Sequence, residues 1–333
     1  MPSEVDQIMT TLSNDTEQNG LCRMQGGGGP GQGRAGHGAW AQGLLLLLGL
    51  LLAALLAPPA LAQSSGLPPI DARAYILMNA NTGEIIAAKN AYNPYPIASI
   101  TKLMTLYLLF QAIQSGQLQL QQRFRPSFTA LHTGGSSMFM HPGLAFSVEQ
   151  MILGMTVPSG NDAAVEAAGL VAGSVPRFVQ EMNQTARQLG MLSTTFYDPD
   201  GLPHPNNTAS PYDIAVLSRA IMTRFPQFMP FFDHEHFTYA GITSPNPNLL
   251  VGRVPFITGM KSGYTDAAGH CLVATGTQNG VSLIAVVLGV PSFRDEGRGF
   301  WKASWQSLKL LDWGFAKTLW LPAMPELERT AAH

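Results

Sequence analysis

Asn279-Gly280 stands between two apolar runs, Cys271 to Thr277 and Val281 to Val290. That dipeptide is the strongest short-range hairpin signal, because a two-residue turn needs positive φ at both central positions. An earlier pair of apolar segments, Ala74 to Met78 and Ile85 to Ala88, is bridged by Asn79-Ala80-Asn81-Thr82-Gly83 and reads as a second hairpin. The stretch between them has helical periodicity. Leu103, Leu106, Tyr107 and Phe110 predict a helix from about Ser99 to Ser115. Further helices are expected over Val148 to Met155, Asp162 to Ala172, Arg177 to Leu189 and Pro211 to Met222. Trp301, Trp305, Leu308 and Leu311 mark an amphipathic closing helix. Strands, then helices, then strands and a last helix favour an α+β fold: one antiparallel sheet flanked by helices, with a helical subdomain leaning against it. No internal repeat is visible.

The chain is 333 residues long, 46% apolar and 12% charged, which is enough to bury a sizeable core and too apolar for a disordered or nucleic-acid-coating protein. Its 19 basic and 21 acidic residues supply no electrostatic reason to bind polyanions. Residues 1 to 62 read as a signal peptide: the apolar run Leu44 to Ala57, then Pro58-Pro59, then Ala60-Leu61-Ala62, with cleavage expected after Ala62. The run is short for a membrane span, which needs about 20 residues, and an uncleaved anchor is the alternative. Glu4, Asp6, Asp15 and Glu17 give an acidic start where export wants a positive one. A start at Met24 removes all four, so residues 1 to 23 read as an over-called start. The glycine tract from Gly26 to Gly33 follows no strand, which argues against a nucleotide site.

The mature chain is then formally neutral and exported, to a periplasmic or other extracytoplasmic compartment. Residues 63 to 71 read as a linker, 72 to 318 as the folded domain and 319 to 333 as a tail interrupted by Pro322 and Pro325. Of Cys22 and Cys271 only the second survives processing, and its apolar setting reads as a buried, inert thiol.

Lysine is scarce, and of the six in the sequence only Lys102 has a serine, Ser99, three residues before it. Three residues on a helix put both side chains on one face, where a neutral amine can activate a hydroxyl without histidine. The amine must lose its proton, which requires burial or a nearby cation. The helix N-terminus adds N–H groups suited to an oxyanion. A capping serine beside a solvated lysine is the plainer reading of Ser-x-x-Lys alone. Two more short motifs change the balance. Ser159-Gly160-Asn161 falls in a loop between two expected helices, and Lys261-Ser262-Gly263 on the first of the C-terminal strands. The three in this order form the signature of penicillin-recognising serine enzymes.

The segments Pro96 to Thr105, Gly135 to Phe139, Ser159 to Ala163, Asp198 to Leu202 and Gly259 to Leu272 resemble those of the low-molecular-weight penicillin-binding proteins, the D-alanyl-D-alanine carboxypeptidases. The resemblance runs from about Arg73 to Lys317. It implies a β-lactamase/transpeptidase-like fold and an acyl-enzyme on Ser99. Lys102 would be general base, and Ser159 would relay a proton to the leaving amine. Asn161 would hold the peptide and orient Lys102. Lys261 and Ser262 would bind the terminal carboxylate, with the Lys261 charge helping to keep Lys102 neutral. The substrate would lie along the Lys261-Ser262-Gly263 strand, and the backbone N–H groups of Ser99 and Tyr264 would form the oxyanion hole. The implied partners are peptidoglycan stem peptides ending in D-Ala-D-Ala, with β-lactams as covalent inhibitors. No metal, cofactor or nucleic acid enters the scheme, and no C-terminal membrane anchor is expected.

The sequence departs from the family pattern at Ser262, where threonine is usual, and at Thr258, where aspartate is usual. Five other readings compete. A D,D-endopeptidase would use the same site on cross-links. A class A-type β-lactamase needs a deacylating glutamate, and Glu166, Glu181 and Glu235 lack its Glu-x-x-x-Asn context. Asp233-His234-Glu235-His236 prompts a zinc hydrolase without an H-E-x-x-H, and His204 prompts a triad without a G-x-S-x-G elbow. A wall-binding protein without catalysis would need neither an activated hydroxyl nor a neutral amine.

Overall fold

The computed structural model describes residues 66–291 and 298–318. The expected leader, its start and the tail from 319 lie outside them. In chain order, β1 (Ala74–Asn79) and β2 (Ile85–Lys89) form the first hairpin, and β3 (Tyr95–Pro96) leads into a 3₁₀ turn, Ala98–Thr101. The helical part holds α1 (Lys102–Gln114), β4 (Arg123–Phe124), α2 (Phe128–Leu131), β5 (Phe146–Ser147), α3 (Val148–Thr156), α4 (Asn161–Ala172) and α5 (Val175–Gln188). Next come β6 (Thr208–Ala209), α6 (Pro211–Arg224), a second 3₁₀ segment, Pro226–Phe232, and the small hairpin β7 (His236–Tyr239) and β8 (Ile242–Pro245). The chain closes with β9 (Ile257–Thr265), β10 (Gly269–Gln278), β11 (Val281–Val290) and α7 (Arg298–Thr318).

The two hairpins join as the sequence predicts. β1 pairs antiparallel with β11, Ala74 opposite Leu288 and Asn79 opposite Leu283, giving the strand order β2-β1-β11-β10-β9. Asn279 and Gly280 take φ of 49° and 79°, the positive pair a tight hairpin requires. This order leaves β9 at a sheet edge, with one row of backbone groups turned away from β10.

Both faces of the central strands are covered, and side-chain alternation divides them. Ile76, Met78, Ile284, Val286 and Leu288 belong to the core shared with the helices. On the other face Leu77 and Leu283 close on α7 at Gly314, where a Cβ would lie 2.6 Å from the first and 2.9 Å from the second. The end of the expected linker is also held there: the Asp71 N–H donates to Gln306 Oε1 at 3.0 Å and Lys309 Nζ to the Pro69 carbonyl at 2.6 Å.

α1 is buried on nearly every side, from Lys102 to Phe110, which makes it the axis of the helical part rather than an amphipathic surface helix. The helices around it start where their sequences allow. Ser147 and Gln150 form a capping box for α3, Ser174 caps α5 ahead of Pro176, and Ser210 caps α6 ahead of Pro211. Gly173, at φ 78°, ends α4 in the left-handed conformation.

Phe110 anchors this core by stacking on Phe228 at 4.6 Å and meeting Phe225 and Phe232 at 5.8 and 6.2 Å. Phe110→Ala is expected to destabilise the fold by about 3–5 kcal/mol in urea unfolding. A loss below ~1 kcal/mol would mean that the aromatic cluster is not a rigid part of the core.

Candidate active site

Ser99 lies in the 3₁₀ turn and Lys102 is the first residue of α1. The sequence predicts one continuous helix here. The tighter turn improves the alignment, because residues three apart eclipse one another in a 3₁₀ helix. Ser99 is not a helix cap: the turn is entered at Ile97, without a side-chain capping bond. Lys102 is 0% exposed, and its Nζ lies 2.9 Å from Ser99 Oγ, 2.7 Å from Asn161 Oδ1 and 2.6 Å from the Asp200 carbonyl. An ammonium donates to all three. Once it loses one proton, the amine donates to two and turns its lone pair to the third, so it can accept from the Ser99 hydroxyl.

Burial favours that loss. It lowers the Lys102 pKa to about 8, against the opposing pull of Asp200, Asp198 and Asp162. Lys261 is 1% exposed, and its pKa is pushed well below the ordinary lysine range by burial and by the charge of Lys102. The resemblance implies that the Lys261 charge keeps Lys102 neutral. Burial is the leading cause at both amines, and the charge of Lys102 adds to it at Lys261.

The other expected residues converge from two elements. Asn161 opens α4, and its Nδ2 donates to the Gly134 carbonyl at 2.7 Å, which aims Oδ1 at Lys102. Ser159 precedes it at φ 64°, and its buried Oγ has no hydrogen-bond partner among the described residues. Between them Gly160 has no room for a side chain: a Cβ would lie 2.6 Å from Asp162 Oδ1 and 2.8 Å from the Met138 nitrogen. Lys261, Ser262, Gly263 and Tyr264 are on β9. Gly263 is where that edge meets the Ser99 turn, since a Cβ there would lie 3.0 Å from the Ile97 carbonyl oxygen and 3.0 Å from the Ser99 nitrogen. The Lys261 amine donates to the Ser262 carbonyl at 2.8 Å. The Tyr264 side chain turns outward, stacking on His270 and donating its hydroxyl to Asp266 at 2.8 Å.

Sequence reasoning assigned no role to the segment around Asp200, whose backbone carbonyl is the closest acceptor of Lys102. Asp198 Oδ1 shapes that turn by accepting from the Asp200 and Gly201 N–H groups at 3.1 and 2.5 Å. Gly201, at φ 84°, is pressed against the Ala98 carbonyl, where no Cβ would fit. Burial raises the Asp200 carboxyl to about 7. Asp162 likewise fixes the loop beside Asn161, accepting from Ser137 Oγ at 2.6 Å and the Met138 N–H at 2.9 Å. Both segments were visible as matching stretches, but a carbonyl acceptor leaves no side-chain signature.

The residues behind the rival readings have other positions. Glu166 Oε2 accepts from the Ser127 N–H at 2.9 Å. Asp233, His234, Glu235 and His236 are exposed. His204 stacks on Tyr197 and accepts from the Asn206 N–H at 3.2 Å, a turn role. The Cys271 thiol is buried and pushed up to about 11, consistent with an inert thiol. Thr258, where the family has aspartate, places its hydroxyl 2.9 Å from that of Thr275.

Residues 61–292 match the family model described as D-alanyl-D-alanine carboxypeptidase. The chain is 31% identical to D-alanyl-D-alanine carboxypeptidase DacF of Bacillus subtilis, over 82% of this chain and 70% of the relative. It is 37% identical to DacC of Escherichia coli, over 78% and 66%. The chain thus spans about two thirds of these relatives' length. Among solved structures it is similar to penicillin binding protein 5 of Haemophilus influenzae, with a TM-score of 0.70 and 35% identity over 75% of this chain and 72% of that one. Penicillin-Binding Protein D2 of Listeria monocytogenes in its ampicillin-bound form matches with a TM-score of 0.66 and 26% identity over 74% and 98%.

Selective labelling of lysine side chains tests the electrostatics by NMR. Lys102 is expected to titrate near pH 8 and Lys261 below the lysine range. Asp200→Asn should lower the Lys102 midpoint further, because the carboxylate is the leading charge that opposes burial. Both amines titrating at the ordinary 10.5 would contradict the geometry.

Proposed function

The chain belongs to the D-alanyl-D-alanine carboxypeptidase family of serine peptidases, and we propose that it removes the terminal D-alanine of peptidoglycan stem peptides through an acyl-enzyme on Ser99. The observation that carries this reading is the fully buried Lys102 amine held 2.9 Å from Ser99 Oγ.

Neutral Lys102 takes the Ser99 proton as Oγ attacks the carbonyl of the penultimate D-alanine. The negative charge that develops on that oxygen meets the N–H groups of Ser99 and Tyr264, contributed by the turn and by β9 where Gly263 brings the two together. The leaving amine takes its proton through Ser159, whose hydroxyl is free for that exchange. Asn161 keeps Lys102 aligned and holds the peptide. The substrate adds to the open edge of β9 as a further strand, and its terminal carboxylate lies against Lys261 and Ser262. A carboxylate arriving there favours the protonated form of Lys261, which raises its pKa on binding. Water then hydrolyses the ester and restores Ser99.

A β-lactam enters the same route, but its leaving nitrogen stays tethered and the ester persists. The ampicillin-bound relative supports this. Among the described residues no helix is long and apolar enough to cross a membrane. The apolar leader supports action outside the cytoplasm.

Ser99→Ala is expected to lower D-alanine release from a pentapeptide by at least ~10⁴-fold and to abolish labelling by a fluorescent penicillin. Release at the parental rate would remove Ser99 from the mechanism. Mass spectrometry of pentapeptide and cross-linked muropeptides separates terminal D-alanine loss from cross-link cleavage, and the former is expected to dominate.

The pH profile follows from the base. Protonated Lys102 cannot accept a proton, so kcat/KM should rise with pH and level off above about 8. A profile that falls as pH rises through this range would contradict the assignment.

A further inference from the structure

Gly263 faces the Ser99 turn, and side chains alternate along a strand, so the next residue, Tyr264, faces the other side of the sheet. His270, the second residue of β10, stands directly opposite Tyr264 in the ladder. The Tyr264 N–H offered to the oxyanion points away from β10. The two residues therefore form the kind of antiparallel pair that exchanges no ladder hydrogen bonds and brings its side chains closest. At that point the contact across the ladder is made by side chains. The Tyr264 ring stacks on the His270 ring, with centroids 4.3 Å apart and planes at 25°, and its hydroxyl donates to Asp266 at 2.8 Å.

His270 is braced in turn. Its ring is buried, Phe300 of α7 meets it edge-on at 4.7 Å, and Gly299 leaves the space beside Nε2 that no Cβ would fit. Against β11 the register of β10 shifts between His270 and Leu272, an irregularity of the kind that re-aims a side chain. The buried Nδ1 has no hydrogen-bond partner among the described residues, so the flat face of the ring, rather than its nitrogen, is what the fold uses. Burial lowers the His270 pKa, which keeps the ring neutral where Lys102 acts as a base. We propose that His270 is a positioning residue for the oxyanion hole: held by α7, its ring fixes Tyr264 so that the N–H of that residue stays aimed at the reacting oxygen. The closing helix thereby bears on the reaction from the far face of the sheet. The inference rests on the carboxypeptidase reading and adds to it a residue that touches no substrate.

The test is a double-mutant cycle in the full chain, following D-alanine release from a pentapeptide. His270→Ala is expected to lower kcat by about tenfold or more while KM changes by less than about threefold. Binding of a peptidyl boronic acid, whose tetrahedral adduct on Ser99 places an oxygen in the hole, should weaken by a similar factor. Tyr264→Ala keeps the N–H and removes the ring, so it should lose as much, and the double variant should lose no more than the worse single one. His270→Phe, which keeps a flat ring, should recover most of kcat. The Lys102 titration near pH 8 should be unchanged in His270→Ala, which separates loss of the hole from loss of the base. Additive losses in the cycle, a His270→Ala kcat within about twofold of the parent, or a folded His270→Phe no better than His270→Ala would overturn the positioning role and leave the reaction standing. No D-alanine release by the parent protein would overturn the reaction, and this role with it.

Discussion

An amine enclosed by protein, with three oxygen atoms as its nearest polar neighbours, is the constraint that the remaining structure serves. Lys102 carries no exposed surface, so its charge has no water to stabilise it. Asn161, Asp200 and Ser99 replace that water from three separate segments. Moving any of these would leave either a charge without partners or a hydroxyl out of reach. The fold therefore holds each one by backbone as well as side chain: Asn161 through the Gly134 carbonyl, Asp200 through the Asp198 carboxylate and Ser99 through the contact of Gly263 with its turn.

The sheet contributes in a different way. Its order places the strand with Lys261 at the edge, open to an extended peptide, while β10, β11 and α7 make that edge rigid from behind. The helical part supplies the opposite wall through α4 and its preceding loop. The site thus lies where the two parts of the α+β fold meet, and glycine at 160, 201 and 263 allows the approach. A Cβ at Gly160 or Gly201 would collide with neighbouring atoms, and one at Gly263 would press on backbone atoms of Ser99 and Ile100 at 3.0 and 3.1 Å.

Much of this was legible in the residues. The Asn279-Gly280 hairpin and the apolar runs around it were enough to place β10 and β11, because turn chemistry and strand pattern agree there. That the first hairpin joins the C-terminal strands in one sheet followed from the order of elements, and its pairing with β11 is what the structure adds. Ser99 and Lys102 stood out by their spacing and the scarcity of lysine, and Asn161 and Lys261 by the resemblance of their motifs to those of penicillin-recognising enzymes. What escaped notice were contributions with no side-chain signal: the Asp200 carbonyl, the 3₁₀ geometry at Ala98–Thr101 and the two-residue strands β3 to β6. Burial was one of the two causes expected to lower the Lys102 pKa, but how deeply the amine lies depends on packing that spacing does not reveal.

The most direct measurement replaces the amine by a group of similar length. In Lys102→Met, the rate constant for acylation of Ser99 by benzylpenicillin, followed by stopped flow with mass-spectrometric confirmation of the adduct, should fall by about 10²–10⁴-fold. Near-UV circular dichroism should show the tertiary packing retained. Acylation at the parental rate in a folded Lys102→Met protein would contradict the account, because Ser99 would then be reactive without the buried amine.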